Sequence, residues 1–202
     1  MKKNIVILVV LLVLGGSLTY ANITGSKHDF HNQSWSSGQI CLPCHAPHNN
    51  INSTGTLLWN HAASSASYTF YSSPTMKASA PIAMSAISKT CMSCHDGTVA
   101  IDSFGGVTGS TTISSTNNLG TALGNDHPIS VDYTTALAAS KGHMFDPAVA
   151  PSGLGGTIAV DMLYVNKVEC SSCHDVHNNF SIPGMLKKSN AGSALCLTCH
   201  NR

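Results

Sequence analysis

Apolar positions are concentrated at the start of the chain, where Ile5 to Leu14 form an unbroken run behind the basic Met1-Lys2-Lys3. Small and polar residues follow, ending Thr19-Tyr20-Ala21. Basic, then apolar, then small is the order of a secretory signal peptide, predicted here over residues 1–21 with cleavage after Ala21. The run is shorter than the roughly 20 residues a bilayer-spanning helix needs, and no second stretch of spanning length follows. The next residue is Asn22 rather than cysteine, which argues against a lipid-anchored start. Beyond this point the hydrophobic pattern fades. Residues 22–40 show no periodicity and predict an extended N-terminal arm. Ala80 to Lys89 and Thr134 to Lys141 predict short helices, and Tyr68 to Tyr71 and Thr157 to Val165 short strands. Phe104 to Gly120 and Pro147 to Gly156 are rich in loop formers. The fold class expected is mostly coil, with few short helices and minimal strand.

Composition sharpens this picture. The remainder, residues 22–202, is rich in Ser, Thr, Gly, Asn and Ala. Such a chain buries too little apolar surface to offset its conformational entropy unaided. Only 9% of residues are charged and the formal net charge is +1, against the ~25% charged residues usual in globular domains. Weak self-repulsion favours association with other copies. No basic patch points to nucleic acid. Asn22-Ile23-Thr24 and Asn52-Ser53-Thr54 read as ordinary polar loop.

The chemistry lies in one pentapeptide that occurs four times: Cys41-Leu42-Pro43-Cys44-His45, Cys91-Met92-Ser93-Cys94-His95, Cys170-Ser171-Ser172-Cys173-His174 and Cys196-Leu197-Thr198-Cys199-His200. Together these copies use all eight cysteines. Paired cysteines also build zinc sites and disulfide frameworks. Neither explains a histidine directly after every second cysteine, and a thioredoxin-like motif would need one pair in a βαβ setting. C-x-x-C-H is the attachment signature of c-type haem. The two thiols add to the porphyrin vinyl groups and the histidine becomes the proximal iron ligand. Four covalently attached haem c groups are expected, supplying the apolar core that the chain lacks.

Motifs one and three continue to a second histidine, His45-Ala46-Pro47-His48 and His174-Asp175-Val176-His177, whereas motifs two and four do not. This alternation suggests two dihaem halves, residues 22–108 and 125–202, within one tetrahaem domain. Seven histidines lie outside the motifs: His28, His31, His48, His61, His127, His143 and His177. They favour bis-histidine iron over Met76, Met84 or Met144, which would raise the potential. His48 and His177 each lie about one helical turn past a proximal histidine. That places them on the wrong side to cap their own haem. His48 is therefore expected to serve motif two and His177 motif four, the alternative being a hydrogen bond to a haem propionate. Motifs one and three would draw on His28, His61 or His127.

Lys27-His28-Asp29-Phe30, Ile40 through His48, Leu58-Trp59-Asn60-His61, Cys94-His95-Asp96-Gly97-Thr98, Asn125-Asp126-His127-Pro128-Ile129 and Cys173 through His177 resemble segments of a known family. It is that of the small tetrahaem cytochromes that polymerise into extracellular filaments (the OmcE-type nanowires). The resemblance implies a mostly coil fold, a continuous haem stack and a homopolymer in which one axial histidine crosses between subunits. It supports His28, His48, His61, His127 and His177 as the pool of distal ligands, five candidates for four irons so that at least one does not bind iron, with His28 on its arm as the crossing candidate. The implied role is a non-catalytic electron carrier at the cell surface or outside the cell, exchanging electrons with other redox proteins or extracellular acceptors. A soluble periplasmic shuttle is the alternative, and a multihaem reductase with one open haem a further one.

Overall fold

The computed structural model describes residues 22–48 and 58–201. The signal peptide and Asn52-Ser53-Thr54 lie outside the described residues. As expected, the chain is mostly coil and turn. Helix α1 spans Ala86–His95 and α2 Thr135–Lys141, while α3 (Ile158–Asp161), α4 (Cys170–Cys173) and α5 (Cys196–Cys199) are single turns. Strand β1 (Thr69–Phe70) runs parallel to β2 (Ala122–Leu123), and β3 (Val131–Asp132) antiparallel to β4 (Lys167–Val168).

Local chemistry explains where these pieces begin and end. The Thr134 hydroxyl accepts from Leu137 N at 3.2 Å and caps α2, while Gly142 closes it in the left-handed region at φ 68. Helix α1 starts six residues later than Ala80 and runs on through motif two. Pro81 disfavours helix just before it, and Ser85, extended and held through its N–H by Ser130 Oγ at 3.0 Å, is the N-cap. The strand expected over Thr157 to Val165 is instead a helical turn. Ile158 and Met162 are four apart, so one turn sends both into the interior, where they are 0% and 3% exposed. Here burial overrides β-branching. The chain then reverses at Val165 and Asn166, both left-handed, with Tyr164 and Lys167 exchanging backbone hydrogen bonds.

Residues 22–40 are not an extended arm. They form successive turns closed by Ser26 N to Ile23 O, Asp29 N to Ser26 O, Gln33 N to Phe30 O and Ser36 N to Gln33 O. Phe30 packs on Trp35 at 5.2 Å and Trp35 on Phe104 at 5.9 Å, which draws the segment onto the body.

Among the described residues the one sizeable apolar cluster is C-terminal. Tyr133, Ala138, Ile158, Met162 and Leu195 form it, with Cys173 and Cys199 packed against its edge. Across the described residues the buried set holds ten hydrophobic side chains and fourteen polar or charged ones. That proportion is what a chain built around a cofactor would show. Contacts also join the two expected halves: α1 against α4, and Asn178 Nδ2 donating to Asn22 O at 3.2 Å.

Candidate haem sites

Each motif closes one helical turn. The His45 N–H donates to Cys41 O at 2.8 Å, His174 N to Cys170 O at 3.0 Å and His200 N to Cys196 O at 3.0 Å, while motif two is the last turn of α1. The turn sets the two cysteines on one face. After it, His174 and His200 leave in extended conformation, and His45, His174 and His200 form isolated bridges with Trp59, Leu186 and Met144. His95 alone stays helical, followed by Asp96.

None of the eight cysteines is paired in a disulfide. Burial pushes Cys44 up to about 11, Cys94 to about 12 and Cys199 to about 11. The motifs succeed one another in space as in sequence. The Cys44 thiol acts on Cys94, Cys91 lies against Cys170, and Cys173 interacts with Cys196 and Cys199.

Three of the motif histidines face a histidine from elsewhere in the chain. Ring centres are 6.2 Å apart for His45 and His177, 6.0 Å for His95 and His28, and 6.4 Å for His200 and His127. Metal–imidazole bonds are roughly 2 Å long, so one metal shared by two rings requires centres about 6 Å apart. The interplanar angles of 21°, 54° and 77° differ, but rings are free to rotate about a shared axis. The second ring nitrogen is also accounted for. His95 Nδ1 donates to Asn117 O, His174 Nδ1 to Gly184 O and His127 Nδ1 to Pro128 O, each at 2.9 Å. A carbonyl only accepts, so Nδ1 carries the proton and Nε2 is left for a metal. Burial, then the neighbouring imidazole, lowers the pKa of His28 and His200 and favours the neutral, ligating form.

Among the described residues no three His, Cys, Asp or Glu side chains converge as a complete metal site. Paired imidazoles offer two donors each, which suits an iron that brings four porphyrin nitrogens. Trp35 Nε1 and Trp59 Nε1 are buried donors with no hydrogen-bond partner, and haem propionates are acceptors. The residues therefore fit haem. Its iron, when bound, supplies one-electron chemistry, while the chain tethers, orients and shields it.

Not every expected ligand falls where the spacing suggests. His177 stands beside His45 rather than motif four, because His174 is extended and the Asp175 carboxylate accepts from His177 N at 3.2 Å and Asn179 N at 2.6 Å, turning the chain. His28, the crossing candidate, lies against His95 of its own chain. His127 faces motif four. His61 is 2% exposed, with Nδ1 2.8 Å from Ala62 O and Nε2 3.1 Å from Ala100 O and 3.5 Å from Cys94 Sγ. His48 is exposed, and no ring contact among the described residues brings it to motif two. His31 pairs with Asp29 at 2.6 Å, and Met144 packs on the apolar cluster. Residues the sequence reading passed over include Asp96, which receives Tyr68 Oη at 2.6 Å and Thr98 N and Oγ1 at 2.8 Å. Glu169 is another, and its signal was available: it is the only glutamate in the chain and directly precedes motif three.

Residues 164–202, which contain motifs three and four, match the family model described as Doubled CXXCH motif (Paired_CXXCH_1). That motif marks a multihaem c-type cytochrome, a protein of electron transfer in which haem c is bound covalently at CXXCH sequences. Proteins of this kind are typically exported. No helix among the described residues is long and apolar enough to cross a membrane. No curated protein matches the chain.

Proposed function

We propose that the chain conducts electrons through four haems, one per motif, as a non-catalytic carrier that assembles into an extracellular filament. The observation that carries this reading is the set of three imidazole pairs, His45/His177, His95/His28 and His200/His127. An iron capped on both faces has no open position for substrate, so electron transfer is what remains to it. The succession of motifs one to four along the fold gives the electron a path of neighbouring haems. His174 has no ring partner of this kind among the described residues. Its second imidazole comes from a neighbouring copy, with exposed His48 as donor. This agrees with the filament-family resemblance and with the weakly charged surface.

Three measurements on secreted material test the reading together. Intact mass should show four added haems, low-temperature EPR only low-spin ferric signals, and negative-stain microscopy filaments. A mass lacking haem would end the proposal outright. A high-spin fraction would point to a reductase, and monodisperse particles alone to a soluble periplasmic shuttle.

A further inference from the structure

We propose that the Glu169 carboxylate makes the junction of motifs two and three the low-potential region of the molecule, and that Lys188 makes motif four the high-potential end. The proposal rests on the haem reading above and concerns how the chain biases where an electron resides.

Glu169 is 1% exposed. It caps α4 immediately before Cys170 and reaches across to α1. Its Oε2 accepts from Ser88 Oγ and, at 3.2 Å, from Ser130 Oγ. Ser88 Oγ in turn accepts from Cys170 N at 3.2 Å, and Ser88 sits one turn before Cys91. Two hydroxyls supply part of the solvation that burial takes from a carboxylate. Oε1 is buried with no partner. The ion pairs among the described residues, His31–Asp29 and Lys167–Asp132, do not include Glu169. Its charge therefore stands uncompensated beside Cys91 and Cys170, the thiols that tether two haems, where low dielectric lets it act at full reach.

The opposite holds at motif four. Lys188 Nζ donates to Thr198 Oγ1, between that motif's two cysteines, and to Ser152 O, both at 2.8 Å and both neutral. Oxidised haem carries one more positive charge than reduced haem. A fixed anion stabilises the oxidised form and lowers the potential, and a fixed cation raises it. In a partly reduced molecule the electron then rests at the C-terminal site and crosses the centre uphill.

The test is a spectroelectrochemical titration of full-length, haem-loaded protein at one neutral pH, with loading fixed beforehand by intact mass and pyridine haemochrome. A wild-type protein without haem would refute the functional reading and show itself at that first step. With loading equal, Glu169→Gln, which keeps the shape, should shift the lowest midpoint potential upward and leave the highest in place. Lys188→Gln should shift the highest downward and leave the lowest. A lowest potential that stays put in Glu169→Gln, or four potentials that move together, overturns the proposal. Should Glu169→Gln fail to accumulate, Lys188→Gln decides alone, and an unmoved highest potential overturns the claim.

Discussion

Two regions of the molecule present the same pentapeptide on different supports. Motifs three and four stand on apolar packing: Tyr133, Ile158, Met162 and Leu195 form the cluster, and Cys173 and Cys199 lie along its edge. Motifs one and two stand on hydrogen bonds. Asn60 Nδ2 donates to Leu42 O at 2.7 Å within motif one, and Asp96 behind motif two gathers Tyr68 and Thr98. The CXXCH turn is thus a local structure that tolerates either foundation. A dry apolar support holds its shape without orienting partners, whereas a polar one depends on every donor meeting its acceptor. The N-terminal region should therefore lean more heavily on bound haem.

The largest effect will come from withholding haem. Chain expressed without haem attachment should show no cooperative thermal transition by circular dichroism, because the ten buried hydrophobic side chains among the described residues cannot offset the entropy of ordering this chain. A sharp melt from haem-free protein would break the comparison at its root. Next, Ile158→Ala in loaded protein should cost about 2–5 kcal/mol through the cavity it leaves. Denaturant titration reads the cost, and hydrogen exchange should place the loosening around motifs three and four. Equal loosening around motif one would mean that the two supports are not separate.

Tyr133→Phe should cost about 1–3 kcal/mol, since it strips a buried donor from two carbonyls. Tyr133 Oη donates to Phe145 O at 2.6 Å and lies 3.2 Å from Cys199 O. Acid separates the regions more gently. Burial alone would raise the Asp96 carboxyl, but hydrogen bonds from Ser64, Tyr68 and Thr98 outweigh it and hold the pKa below the usual value. The folded state thus favours the carboxylate more than the unfolded state does. Its contribution is present above the unfolded pKa of about 3.9 and is lost as pH falls through the lower folded value. Exchange near motif two should accelerate in that window before exchange near Ile158, and Asp96→Asn should remove the acid dependence. Smallest of all, Lys167→Ala breaks an exposed 2.7 Å pair with Asp132. It should change stability by less than ~1 kcal/mol, and a larger drop in melting temperature would show that β3–β4 is more than a surface clasp.

Some of the fold could be read directly from the chain because its cause is local. Thr134 as cap and Gly142 as stop frame α2 within one residue of expectation. Thr157 to Val165 misled because β-branched residues favour strand, whereas Ile158 and Met162 at helical spacing were the better guide to burial. The same limit applied to the ligands. The three-residue spacing from His174 to His177 suggested a helical turn, but extended backbone and the Asp175 side chain bend that segment toward motif one.

What the sequence determined by itself is the chemistry within a single turn: the four CXXCH sequences, the thiols they align and the histidine that follows each. These features depend on residues at most four apart, so they survive whatever the rest of the chain does. The tertiary structure alone decided which distant imidazole meets which motif, where the uncompensated Glu169 charge falls, and which motifs rest on apolar packing. Each of these depends on bringing together side chains dozens of residues apart, and that is settled by packing and hydrogen bonding over the whole molecule rather than by any local pattern.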